Sequence, residues 1–164
     1  MRIGYYTSFE IAGRKKKISG IVLDHNEEWV LLNRWNEGQA DGYTVFRRKH
    51  IFAELSCELE EDEINAALAR AAPDHKKVVA MPITDLASIL NHIGENYALL
   101  QLEVISASEP KNASFIGREG DVFYFKELTS KMRWRHTFVL QQTELNFINF
   151  GNSDLLQIKK ELYN

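Results

Sequence analysis

Residues 9–55 read FEIAGRKKKISGIVLDHNEEWVLLNRWNEGQADGYTVFRRKHIFAEL. Short runs of branched and aromatic side chains alternate here with turn-forming residues, a pattern of strands rather than helices. Tyr5, Tyr6, Phe9 and Ile11 precede a loop at Gly13, and Ile18 to Leu23 forms a second run. Trp29-Val30-Leu31-Leu32 is a third and Tyr43-Thr44-Val45-Phe46 a fourth, while Ile51-Phe52 either continues the fourth or forms a short fifth. The third run is continuous rather than alternating, which implies burial on both faces or a strand bent sharply in a small barrel. Asn36 to Gly42, with Gly38 and the Asp41-Gly42 pair, carries turn chemistry. Short strands with tight turns must hide their edges, and bending into a barrel does so. Gly20 allows such a bend, and Trp29 and Trp35 supply bulk for a small core.

The chain then changes character. Ile64, Ala67, Leu68 and Ala71 recur at helical spacing, so a helix is expected from about Glu58 to Ala72, closed by Pro73. Its acidic first turns suit the positive end of the helix dipole. A short apolar piece follows at Val78 to Met81. Thr84 is placed to cap a second helix, whose stripe is Leu86, Ile89, Leu90 and Ile93, with Gly94 as its left-handed terminator. Strands return at Tyr97 to Ile105, Phe115-Ile116, Val122 to Phe125, Phe138 to Leu140 and Leu145 to Phe150, with a loop at Ser106 to Ala113. Leu155, Ile158 and Leu162 fit a closing helix capped by Ser153.

A shift of 93 residues superposes the two β regions in pattern. Leu23 falls on Ile116, Trp29 to Leu32 on Val122 to Phe125, and Trp35 on Leu128. A one-residue insertion then places Val45-Phe46 on Val139-Leu140 and Ile51 on Leu145. Coincident apolar and turn positions point to an internal repeat.

The 164 residues hold 20 basic and 23 acidic side chains, for a net charge of −3, and 45% are hydrophobic. That is an ordinary globular composition, not a disordered, collagen-like or disulfide-rich one. Charge is uneven: residues 1–50 carry nine basic and six acidic groups, 51–110 three and eleven, and 111–164 eight and six. Such asymmetry steers partners, or reflects a solvated acidic helix. Cys57 is the one cysteine, which excludes an intramolecular disulfide and a multi-thiolate zinc site. The start has no apolar signal core, and no run approaches the roughly 20 apolar residues of a membrane span. The expectation is a cytoplasmic protein without a membrane partner.

The stretch from Phe9 to Leu55 resembles an Sm-like small β-barrel. Gly13, Gly20-Ile21-Val22, Asp24, Trp29 to Leu32, Arg48 and Ile51 take the places of that family's glycine turn, G-hydrophobic-hydrophobic strand, aspartate, hydrophobic strand, arginine and late isoleucine. It also looks like uncharacterised bacterial proteins with a WVLL…DGY signature. The second β region matches only the hydrophobic skeleton, and the resembling parts cover about two thirds of the chain. The resemblance implies single-stranded RNA binding by loop residues, carried here to Asp24, His25, Asn26 and Arg48. Lys49 departs from the family, standing where a glycine is expected, and the second region lacks the RNA-binding residue types. Two barrels in one chain would also alter ring assembly.

Other chemistry is sparse. Arg14 to Lys17, Arg47 to His50 and Arg133-Trp134-Arg135-His136 are basic clusters. They suit phosphate contacts with a stacking tryptophan, or a solvated hairpin and the charged faces of edge strands. The net charge favours the second reading. His25, His50, His75, His92 and His136 show no metal-ligand spacing. There is no G-x-S-x-G, P-loop or G-x-G-x-x-G motif. Acidic neighbours oppose a reactive thiolate at Cys57, and the carboxylates from Glu58 to Glu63 lack the glycine turn of a calcium loop.

The expected fold is mainly β (α+β): two small Sm-like or SH3-like barrels at 1–55 and 96–164, joined by a two-helix segment at 56–95. No catalytic residue, metal or cofactor is expected. The expected role is a non-enzymatic binding or adaptor module with an unknown protein partner, acting through barrel loops or exposed strand edges, its oligomeric state open. One alternative is RNA binding through the Asp24 to Asn26 loop and Arg47 to Lys49. Another is an enzyme with its site between the barrels, marked by a pocket gathering His25 or His136 with a carboxylate.

Overall fold

Five strands occupy the first 57 residues: β1 Tyr6–Ile11, β2 Ile18–His25, β3 Trp29–Asn36, β4 Gln39–Arg47 and β5 Ile51–Cys57. The structure, a computed structural model, describes residues 1–57, 62, 63, 65, 66, 78, 80–105 and 107–164. It is mainly β, with every strand pairing described below antiparallel, and divides into two units, Met1–Ile83 and Thr84–Asn164.

In the first unit the strand order is β5-β1-β2-β3-β4. Consecutive strands form hairpins, and β5 returns to the far side of β1 after a 3-10 turn at Arg48–His50. Asn36 pairs with Gln39 across the β3–β4 hairpin. Glu37 and Gly38 between them both have positive φ, 51° and 81°, as a type I′ turn requires. Asp41-Gly42, expected in this turn, lies inside β4, where the Gly42 carbonyl accepts from Asn33 Nδ2 at 3.2 Å. The continuous run of β3 is buried from Trp29 to Asn33, on both faces.

The second unit repeats the plan. Its strands are β6 Leu100–Val104, β7 Lys111–Glu119, β8 Val122–Leu128, β9 Trp134–Gln141 and β10 Leu145–Phe150, ordered β10-β6-β7-β8-β9. A 3-10 turn at Gln142–Glu144 again separates the fourth strand from the fifth. Irregularities coincide too. The register shift between Val22 and Asp24 recurs between Phe115 and Gly117, and that between Asn33 and Trp35 recurs between Lys126 and Leu128. The Arg48 amide donates to the Glu28 carbonyl at 2.8 Å, and the Gln142 amide to the Asp121 carbonyl at 3.2 Å.

Two helices complete this unit. Helix α1, Leu86–Tyr97, buries its expected stripe and packs on β6 and β7. Asp85, not Thr84, caps it, with its carboxylate accepting from the Ser88 amide at 3.0 Å. The helix runs past Gly94 because Tyr97 extends the buried stripe and meets Phe150 edge-on at 5.0 Å. Ala98, at φ 65°, ends it instead. Helix α2, Ser153–Tyr163, starts one residue beyond its cap, Asn152, whose Oδ1 accepts from the Leu155 amide at 2.8 Å. Leu155, Ile158 and Leu162 close a small cluster with Leu99, Leu128 and Trp134. The helix expected from Glu58 to Ala72 lies largely outside the described residues, although Asp62, Glu63, Asn65 and Ala66 are helical.

Candidate functional site

The residues named from sequence fall on two neighbouring connections of the first unit, the β2–β3 turn and the start of the 3-10 turn. Hydrogen bonds tie them together. Arg48 donates through its amide to the Glu28 carbonyl and through Nη1 to the Asn26 carbonyl at 3.1 Å. Arg47 Nη1 reaches Glu28 Oε1 at 2.5 Å. The structure thus gathers Asp24, His25, Asn26, Arg47, Arg48 and Lys49 at one corner.

Several of these groups are already engaged. Asn26 Oδ1 accepts from the amides of Glu28 and Trp29 at 2.8 and 2.7 Å, while Nδ2 donates to the Ile83 carbonyl at 2.6 Å. Its amide therefore holds the turn and Ile83, the last residue of the first unit. Asp24 Oδ1 accepts from the His25 amide at 2.8 Å. Arg47 is only 5% exposed, with its guanidinium 4.4 Å from the Trp29 ring centroid. Arg48 and Lys49 are exposed, and His25 is half-buried. The corner is thus a hydrogen-bonded frame presenting two cations, beside the exposed Glu27. In the second unit the matching 3-10 turn is Gln142–Glu144, where Glu144 accepts from the Gln141 amide at 2.7 Å.

A larger difference between the units lies on one sheet face. In β3 and β4 the cross-strand pairs Trp29–Arg47, Leu31–Val45 and Asn33–Tyr43 share a face, and all six side chains are buried. Their counterparts are Val122–Gln141, Tyr124–Val139 and Lys126–Thr137. None of these is buried: Val139 is 53% exposed, and Ile116 in the adjacent bulge is 56% exposed. The second unit therefore carries an open, partly apolar face where the first is covered. In the sequence, Ile116, Val122, Tyr124 and Val139 read only as strand residues. Apolar groups at both alternating sets, Val122 and Tyr124 as well as Phe123 and Phe125, were the available signal.

The remaining clusters disperse. Lys17 of the Arg14 to Lys17 hairpin pairs with Glu10 at 2.6 Å. Arg133, Arg135 and His136 are exposed, and Trp134, partly buried, packs against Leu99, Leu128 and Leu155. Cys57 ends β5 and is exposed. His75 lies outside the described residues, and among those residues no three His, Cys, Asp or Glu side chains gather as a metal site. No described helix is long and apolar enough to cross a membrane. Comparison with family models, curated proteins and solved structures finds no match to this chain, so its own geometry carries the functional argument.

Proposed function

We propose that this chain is a non-enzymatic protein-binding module made of two small Sm-like or SH3-like barrels derived by duplication. The shared strand order and coincident bulges favour duplication. Chain connection favours curled sheets. The fourth and fifth strands run in the same direction at opposite edges of the order. In a flat sheet those edges stand about 19 Å apart. The steps from Arg47 to Ile51, or from Gln141 to Leu145, span at most about 14 Å even when fully extended. A 3-10 turn spans less. Curling each sheet until the fourth strand leads into the fifth resolves the mismatch.

The observation that carries the binding role is the open face of β7, β8 and β9, centred on Ile116, Tyr124 and Val139. Contiguous exposed apolar surface marks a contact site for another protein. The test is capture from the native host with the tagged chain and with Ile116→Lys and Tyr124→Lys variants, each with and without nuclease. Both substitutions leave β5 and β9 intact. A stoichiometric protein retained after nuclease and lost with either variant supports the reading. Recovery unchanged by both variants overturns it. Recovery of RNA that is lost with Arg48→Ala and at high salt would replace it with the nucleic-acid reading.

A further inference from the structure

The open face of the second unit has an internal order of charge. Cross-strand pairing sets its residues in three rows over β7, β8 and β9: Glu119–Val122–Gln141, Gly117–Tyr124–Val139 and Ser114–Lys126–Thr137. The first row carries a carboxylate, with exposed Asp121 in the adjoining turn. Tyr124 Oη donates to Glu119 Oε2 at 3.3 Å, so both side chains lie on this face. The middle row is apolar, and exposed Ile116 in the β7 bulge adds to it. The third row carries exposed Lys126, whose Nζ lies 5.7 Å from the Trp134 ring centroid. Lys131 and Arg133, in the loop after β8, and Arg135 on β9 are exposed at the same end. Arg118 pairs with Phe123 and so belongs to the opposite face. Val122 and Lys126 stand about 13 Å apart along β8.

A face with an acidic end, an apolar middle and a basic end is the complement of itself turned end for end. We infer that it is a homodimer contact, stacking on the same face of a second copy with the strands antiparallel. It rests on the reading of that face as a protein contact, and it names the partner as the chain itself. A two-fold axis lying in the interface and crossing the strands at the middle row carries the Glu119 row of each copy over the Lys126 row of the other. Tyr124 and Val139 then meet their own copies near the axis. Packed sheets lie about 10 Å apart, within reach of lysine and glutamate side chains extended from both. An axis along the strands would instead stack lysine on lysine and carboxylate on carboxylate, which like-charge repulsion opposes. A polyanion such as RNA suits the third row but is repelled by Glu119 and Asp121.

The same patch serves both copies, so the contact is isologous and closes at two. Three short strand segments bury less than the roughly 800 Å² per copy of a standard interface, so the dimer is weak and rises with concentration.

Sedimentation velocity over a wide concentration range tests it, on the wild-type chain, Lys126→Glu, Glu119→Lys and the double variant. Wild type is expected to pass from monomer to dimer and stop there, with association weakened at high salt. Each single variant bears one sign of charge at both ends and is expected to dimerise about tenfold more weakly. An equimolar mixture of the two is expected to recover dimers, because every contact again joins opposite charges. The double variant alone is expected to recover them too, since its order is merely reversed. Both sites are exposed; if circular dichroism shows either variant unfolded, Thr137→Glu and Asp121→Lys replace them. A wild type that stays monomeric, one that grows past two, single variants that associate as well as wild type, or a mixture that stays monomeric would each overturn the inference. The capture experiment decides the underlying reading separately: a different protein lost with Tyr124→Lys leaves the face a contact for that partner, and its absence from a monomeric chain removes the contact as well.

Discussion

The guanidinium of Arg47 lies over the ring of Trp29, its cross-strand neighbour, with 4.4 Å between guanidinium carbon and ring centroid. The same group pairs with Glu28, whose side chain stays largely exposed. The arginine thus acts as a packing residue with a polar tip. Arg47→Ala is expected to cost about 2 kcal/mol, from the cation–π contact and buried stem. Arg48→Ala and Lys49→Ala, at exposed positions, are expected to stay within about 0.5 kcal/mol. Urea unfolding of the three variants checks this. Equal, small effects would place Arg47 with the solvent-facing cations.

Asn26, like Arg47, has a structural duty among the six candidate residues. It accepts from two backbone amides and donates to the Ile83 carbonyl. Asn26→Asp keeps the acceptor but sets a carboxylate oxygen against that carbonyl, and Asn26→Ala removes all three bonds. Both are expected to destabilise the chain by about 2 kcal/mol, the cost of stranding part-buried polar groups. Hydrogen exchange should show faster opening at Glu28 and Trp29 in the alanine variant. Wild-type stability in both variants would return Asn26 to the ligand-contacting groups.

Strand existence was legible in this chain because local chemistry and burial agree. The Trp29 to Leu32 run is buried on both faces, as a continuous apolar segment implies. The 93-residue shift marked equivalent positions that do fall on equivalent strands and bulges. Arg47 and Arg48 were not separable. They are adjacent in sequence, and only the end of β4 between them decides that one packs and the other enters a turn. Gly94 misled because its helix-ending preference is local, whereas the buried Tyr97 favours another turn. The open face of the second unit was least legible, because Leu31 and Tyr124 have similar sequence surroundings and differ in what covers them.

Gly20 stands where the chain leaves no room for a side chain. A Cβ there would sit 2.0 Å from the Asn33 carbonyl oxygen and 2.9 Å from its carbon, both backbone atoms. The matching position in the second unit is Ala113, itself fully buried, where a methyl group is accommodated. Gly20→Ala is expected to cost about 3 kcal/mol, because β2 and β3 must separate. Gly117→Ala meets nothing within 4 Å and is the matched control, expected within about 1 kcal/mol of wild type. Thermal unfolding of the pair tests the contrast, and a Gly20→Ala protein as stable as the control would remove the close approach.

Asp85 gives helix α1 a pH-dependent start. The Ser88 amide, then the Ser88 hydroxyl, hold its carboxyl below the ordinary value of 3.8, against a small opposing effect of burial. A depressed folded-state pKa means the unfolded chain takes up the proton first. The stabilisation is therefore complete above 3.8 and is lost as pH falls through the lower folded value. Asp85→Ala is expected to cost about 1 kcal/mol at neutral pH, the usual worth of an N-cap. Asp85→Asn keeps an uncharged acceptor, so its stability should fall less steeply in acid. Urea unfolding at neutral pH and well below 3.8 should show the gap between wild type and Asp85→Ala closing in acid. A gap that stays constant would mean that the carboxylate's charge adds nothing to the cap, leaving only its shape.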